Sequence, residues 1–135
     1  MDTISPERRS QIMSRVRSRH TKPELAIRQL VYSLRYRYRL HARDLPGKPD
    51  LVFRKRWKVI FVHGCFWHRH PGCPLARLPK SRVEFWVGKL EKNRERDVKN
   101  LELLNSKGWS VLTIWECELQ DLPSLTSKIE RFLNV

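Results

Sequence analysis

The chain has 135 residues, of which 40% are hydrophobic, with five Trp, so it can bury the core of one packed domain and is not a disordered tail. Its 28 Lys and Arg outnumber 14 Asp and Glu, a formal charge of +14, which points to a polyanionic partner. The longest aliphatic and aromatic run, Val59-Ile60-Phe61-Val62, is far too short to cross a bilayer.

The charge is unevenly placed. Residues 1–50 carry 12 basic and 5 acidic side chains, 51–82 carry 8 basic and none acidic, and 83–135 carry 8 basic and 9 acidic. Trp and Tyr are interleaved with the arginines of the basic part, which favours nucleic acid over a merely solvated face. No long helix is basic on one side and apolar on the other, so an anionic membrane fits less well. The first residues show no apolar run behind a basic one, and an intracellular, cytoplasmic protein is expected.

In chain order, Ser5-Pro6-Glu7 reads as a helix start, with a thin apolar stripe of Ile12, Met13 and Val16 behind it. So thin a stripe suits packing on a partner. Thr21-Lys22-Pro23-Glu24 reads as a capping box opening a second helix, with Leu25, Ile27, Leu30, Val31 and Leu34 as its wide apolar face. Tyr36 to Leu40 alternates as a half-buried strand should, Pro46-Gly47 marks a turn, and a strand begins at Asp50-Leu51-Val52-Phe53. Arg54-Lys55-Arg56 is a basic hairpin tip, from which Lys58 to Val62 returns. Residues 63–79 form an irregular loop rich in His, Cys, Pro and Gly. Ser81-Arg82-Val83-Glu84 reads as another capping box, opening a long helix that runs to about Ser106 and stops at Gly108. A strand over Trp109–Trp115 and a short amphipathic helix with Leu125, Ile129, Phe132 and Leu133 close the chain. The order α-α-β-β-β-loop-α-β-α predicts one α/β domain over 1–135, with a mixed central sheet flanked by helices.

The loop holds the most specific chemistry. Cys65, His70 and Cys73 are spaced C-x4-H-x2-C, and Cys117 lies just past the last strand. Three sulfurs and one imidazole form a closed, soft set that suits structural Zn²⁺ and leaves no open catalytic position. The bland alternative is a chance cluster of buried thiols. A metal staple would offset the entropy of ordering a loop that carries Phe66-Trp67, and leave His63 and His68 free for chemistry.

The acids read blandly one at a time. Asp50 suits a turn cap, Glu24 a capping-box partner, and Asp97 a helix-surface ion pair. Taken with His63 and His68, they supply what phosphodiester cleavage requires: oxygen ligands for Mg²⁺, a base for water, and charge stabilisation at the phosphate. Histidine titrates near working pH, so His68 can take a proton from water. There is no glycine-rich phosphate loop, no nucleophile elbow and no zinc-protease or zinc-deaminase motif.

Pro46-Gly47-Lys48-Pro49-Asp50, Val62-His63-Gly64-Cys65-Phe66-Trp67-His68, Glu84-Phe85-Trp86, Lys92-Asn93-Arg94-Glu95-Arg96-Asp97 and Trp115-Glu116-Cys117, with Thr21 to Glu24, resemble the very-short-patch repair endonucleases. The resemblance runs from about Ser5 to Leu119. It implies a restriction-endonuclease-like fold and Mg²⁺-dependent nicking of one strand of duplex DNA beside a T:G mismatch left by deamination of 5-methylcytosine. By matched position it implies Asp50 as the principal magnesium ligand and His68 as the water-activating base, supported by Glu24, His63 and Asp97. It likewise implies Cys65, His70, Cys73 and Cys117 as zinc ligands. Phe66, Trp67 and Trp86 would form an aromatic wedge in the base stack, with Met13 approaching from the minor groove on a DNA-contacting helix within residues 1–20. Core packing is the competing reading of Trp67 and Trp86.

Two positions depart from the wider nuclease pattern. Val62-His63 stands where a carboxylate and a lysine are usual, so a metal ligand from Val62 can only be its backbone carbonyl. Pro71-Gly72 varies the zinc loop before Cys73. A wedge makes physical sense in its own right, because a mismatched step costs less to unstack than a paired one. Asymmetric nicking suits a monomer, and a mismatch-repair factor is a candidate further partner. Two rival readings are a zinc-stapled DNA-binding module without catalysis and a restriction-type nuclease indifferent to mismatches.

Overall fold

The structure, a computed structural model, describes residues 21–134. The expected first helix and Met13 lie outside the described residues. Helix α1 (Lys22–Ser33) starts where Thr21 caps it, the Thr21 side chain accepting from the Glu24 N–H at 3.3 Å. Two short strands follow, β1 (Arg39–Leu40) and β2 (Leu51–Phe53), then β3 (Lys58–His63). The long helix α2 (Val83–Ser106) leads to β4 (Ser110–Trp115), and α3 (Leu122–Asn134) ends the described chain.

The four strands lie in the order β1-β2-β3-β4, antiparallel through the first three and parallel between β3 and β4, so the sheet is mixed as expected. All three residues of β2 are buried, because both faces of the sheet are covered. Leu51, Phe53, Ile60 and Ile114 face α1 and α3, joining Ile27, Val31, Leu125, Ile129 and Leu133 in one core cluster. Val52 and Val59 point the other way, onto Leu104 of α2, Trp109, Ala42 and Leu45. The result is helix, sheet, helix. Removing a fully buried side chain from the first cluster, such as Ile60→Ala, would cost about 2–5 kcal/mol.

Three expected elements differ in detail. Only Arg39 and Leu40 of the alternating Tyr36–Leu40 segment join the ladder, because the chain leaves α1 through a left-handed Arg35 (φ 69°) and still has to turn. Tyr36 and Tyr38 nonetheless pack on the core, whereas Leu40 is exposed, so the alternation reports burial only as far as Tyr38. The helix at 83 does not open with a Ser81 box: its N-cap is Arg82, left-handed at φ 55° and without a side-chain cap bond. There the Arg82 guanidinium lies 4.5 Å from the centroid of the Phe85 ring. Finally, β3 extends one residue past Val62, pairing His63 with Trp115.

Two turns aim the site. The chain reverses at Leu45–Lys48, closed by a 3.1 Å bond from Lys48 N–H to the Leu45 carbonyl. Gly47 sits there at φ +76°, where an added Cβ would meet Asn100 at 3.0 Å and Phe61 at 3.1 Å. Only glycine fits both the backbone and the space. At the C-terminal end of α2, Gly108 (φ +90°) stops the helix and the Trp109 N–H returns to the Leu104 carbonyl at 3.0 Å.

Candidate active site

Asp50 precedes β2, where the ladder to β3 has run out. Its free carboxylate takes over, accepting the Val62 N–H at 2.7 Å. On its other side lie Glu24 and His41, and ligand atoms of all three fall within 4.8 Å of one another. Glu24 is 2% exposed, and its carboxylate is engaged at this group. Its carboxylate is held by Arg28 and by His41 Nε2, which lies 3.1 and 3.0 Å from the two oxygens.

Burial pushes the Asp50 carboxyl up to about 7, with the Glu24 charge adding to the rise and the Val62 N–H opposing it. Glu24 goes the other way. Burial raises it, but hydrogen bonds from His41, Asp50 and Arg28 outweigh burial and hold it below the ordinary carboxylate range. Near neutral pH the pair therefore carries one secure negative charge and a second that a proton contests. A divalent cation is the natural replacement for that proton, and two converging carboxylates suit a hard one.

One residue along β3, His63 begins the second group. Its ring stacks on His68 with centroids 3.7 Å apart and planes 6° off parallel. His68 Nδ1 lies 2.5 Å from Asp97 Oδ2, so the carboxylate accepts the Nδ1–H and leaves Nε2 available as a base. Burial, with the neighbouring His68, lowers His63 to about 4, so it is neutral at physiological pH. His63 is 8% exposed, and its Nδ1 has no hydrogen-bond partner among the described residues.

Helix α2 positions this group by its period. Trp86, Leu90, Asn93 and Asp97 recur at four, three and four residues and share one face. Asn93 Nδ2 donates to the Trp67 carbonyl at 3.3 Å, and Asp97 takes the ring of the next residue, His68. The helix thus grips the loop at two consecutive positions.

Both groups open on one cavity of about 870 Å³, lined by Asp50, Val62, His63, His68 and Asp97 among others. Arg43, Lys48, Arg69, Arg94 and Arg96 also line it, five cationic side chains to two carboxylates. Such a cleft attracts a polyanion while keeping an acidic spot for a metal.

The sulfur cluster stands beside it. Donor atoms of Cys65, His70, Cys73 and Cys117 all lie within 4.8 Å of one another. His70 Nδ1 is 3.6 Å from Cys65 Sγ and 3.4 Å from Cys117 Sγ. A tetrahedral zinc with bonds of about 2.3 Å to sulfur and about 2.0 Å to nitrogen would separate them by ~3.5 Å, so the donors fit. Burial pushes the Cys65 thiol up to about 12 and raises Cys117 as well, so without a cation these two thiols stay protonated. The cluster is braced by Glu116, which accepts the Cys65 N–H at 2.9 Å, and by Trp115, whose ring stacks on His70 at 4.2 Å.

Phe66, Trp67 and Trp86 form an aromatic triangle with centroids 5.1, 5.4 and 6.1 Å apart. Phe66 and Trp67 are half-buried, while Trp86 is 6% exposed and lies beneath them. The Lys89 ammonium sits 5.5 Å from the Trp67 centroid.

Sequence reasoning missed His41, Arg28 and Glu116. A signal for His41 existed: the pairing Arg39↔Val52, Leu40↔Leu51 places 41 opposite 50, and the His41 N–H donates to the Asp50 carbonyl at 3.2 Å.

Comparisons with known proteins identify the family and a likeness of fold. A family model described as DNA mismatch endonuclease Vsr matches residues 1–74, just over half of the chain. The type II nicking enzyme V.XorIIP of Xanthomonas oryzae pv. oryzae is 50% identical, over 98% of this chain and 97% of its own length. DNA mismatch endonuclease Vsr of Escherichia coli K12 is 40% identical, over 89% and 76%. Among solved structures, the catalytic domain of homing endonuclease I-Bth0305I superposes with a TM-score of 0.58 at 23% identity, covering 83% of this chain and 93% of that one, a likeness of fold. The chain belongs to the Vsr family of DNA mismatch endonucleases.

Proposed function

We propose that this protein nicks one strand of duplex DNA beside a T:G mismatch, by magnesium-dependent hydrolysis of a phosphodiester, and so starts very-short-patch repair. The observation that carries the reading is the opening of Asp50, with Glu24 buried behind it, and of a His68–Asp97 dyad onto one basic cavity. The arginines hold the DNA backbone, and Asp50, backed by Glu24 and joined by the Val62 carbonyl, forms the acidic seat for Mg²⁺. Magnesium bound there supplies positive charge against the scissile phosphate. His68 Nε2 takes the proton of the attacking water, while Asp97 holds the ring in the required tautomer and balances the imidazolium. His63, neutral and stacked, keeps the His68 ring plane fixed.

Zinc on Cys65, His70, Cys73 and Cys117 holds the loop that carries Phe66, Trp67 and His68. Phe66 and Trp67, backed by Trp86, wedge into the stack where a mismatch has made unstacking cheap. The chain works as one endonuclease domain over 1–135 and as a cytoplasmic monomer, with residues 1–20, Met13 among them, contacting the DNA. Strand-resolved cleavage tests this: one strand of a T:G duplex is nicked with Mg²⁺ and neither strand with chelator. Equal rates on T:G and fully paired C:G duplexes would remove the mismatch assignment, and cleavage in chelator would remove the magnesium.

A further inference from the structure

His41 belongs to none of the roles given above, yet it occupies the junction between the two carboxylates. Its Nε2 lies 3.1 and 3.0 Å from the two Glu24 oxygens and 4.0 Å from Asp50 Oδ1. Its backbone adopts φ +46°, a conformation non-glycine residues rarely hold, while its N–H donates to the Asp50 carbonyl at 3.2 Å. Strained backbone of this kind persists where the surroundings over-determine it, and it clusters at functional sites. One residue therefore grips Asp50 through its main chain and Glu24 through its side chain.

We propose that His41 is the positioning residue of the cation site: its Nε2–H fixes the Glu24 carboxylate against Asp50, so that the two acids present one preformed divalent-cation seat. With Nε2 spent on Glu24, the ring offers that carboxylate a hydrogen rather than offering a metal a lone pair. Through Nε2 it therefore acts as an outer partner of a ligand. Arg28 holds Glu24 as well, but from one turn along the same helix. His41 does so from outside the helix, across 17 residues of chain.

The inference rests on the magnesium reading of Asp50 and Glu24, and binding of Mn²⁺ to the full chain, measured as free Mn²⁺ by electron paramagnetic resonance, separates the two. Loss of an outer partner typically weakens metal affinity about 10–100-fold. His41→Leu, which keeps bulk but no donor, is expected to weaken Mn²⁺ by at least about 10-fold. His41→Gln, whose amide can still donate to Glu24, is expected to stay within about three-fold of wild type, against that 10–100-fold loss. In nicking, His41→Leu should raise the Mg²⁺ needed for half-maximal rate and leave the saturated rate near wild type. Unchanged Mn²⁺ affinity in His41→Leu, while Asp50→Ala abolishes binding, would overturn the role of His41 alone. Unchanged affinity in Asp50→Ala would overturn the cation seat and His41's role with it. If His41→Leu does not fold, His41→Gln decides, and a loss as large as that of Asp50→Ala would contradict the proposal.

Discussion

The sulfur cluster and the acid–histidine cavity are neighbours built from opposite principles. In the first, three sulfurs and one imidazole converge, burial keeps the Cys65 and Cys117 thiols protonated until a cation binds, and the surrounding stack and hydrogen bond brace the set. In the second, the groups are held away from their comfortable ionisation: Asp50 is pushed up to about 7 and His63 down to about 4, both by burial first. The contrast separates stability from chemistry. Damage to the cluster should unfold the loop, whereas damage to the cavity should spare the fold and stop the reaction.

The sharpest way to break this contrast is Asp50→Asn. Nicking should fall by about 10³-fold or more, with duplex binding and zinc content unchanged. A variant that also loses zinc would join the two regions that the account keeps apart. His68→Ala comes next, with an expected loss of about 10²–10⁴-fold in rate and an unaltered melting temperature. Cys117→Ser should behave in the reverse manner, losing zinc by direct metal assay and melting at lower temperature before any rate is considered. Full metal content in that variant would refute the ligand set.

Titration sharpens the comparison further. In the metal-free protein, Asp50 stays protonated up to about 7 whereas the unfolded chain ionises near 3.8, so the folded state loses stability as pH rises through that window. Metal-free Asp50→Asn should therefore melt above wild type at pH 8 but not at pH 4. Mg²⁺ should erase most of the gap by raising wild type alone. The smallest effect belongs to Gly47→Ala, expected to cost about 1–3 kcal/mol of stability through its left-handed backbone.

What could be read from the residues followed the range of the interactions. The cysteine set was legible because three ligands sit within nine residues, Cys65 to Cys73, and Cys117 was the sole remaining cysteine. The helix start at Thr21 was legible because capping is local, but the side-chain fate of Glu24 was not, since its partner His41 arrives only when β1 pairs with β2. Ser81-Arg82-Val83-Glu84 has the same local pattern as Thr21 to Glu24 and fails, because a left-handed Arg82 changes how the chain enters the helix. Asp50 could be ranked as a candidate and no more. Its raised pKa depends on burial and on a second carboxylate 26 positions earlier, neither of which composition or spacing displays.

The central claim is that Asp50 and His68 serve one phosphate. A double-mutant cycle on single-turnover nicking of a T:G duplex tests it directly, using Asp50→Asn, His68→Ala and the pair. Groups acting as a unit give a double variant little slower than the worse single one. Losses that simply multiply would mean the two side chains work independently, and would contradict the account.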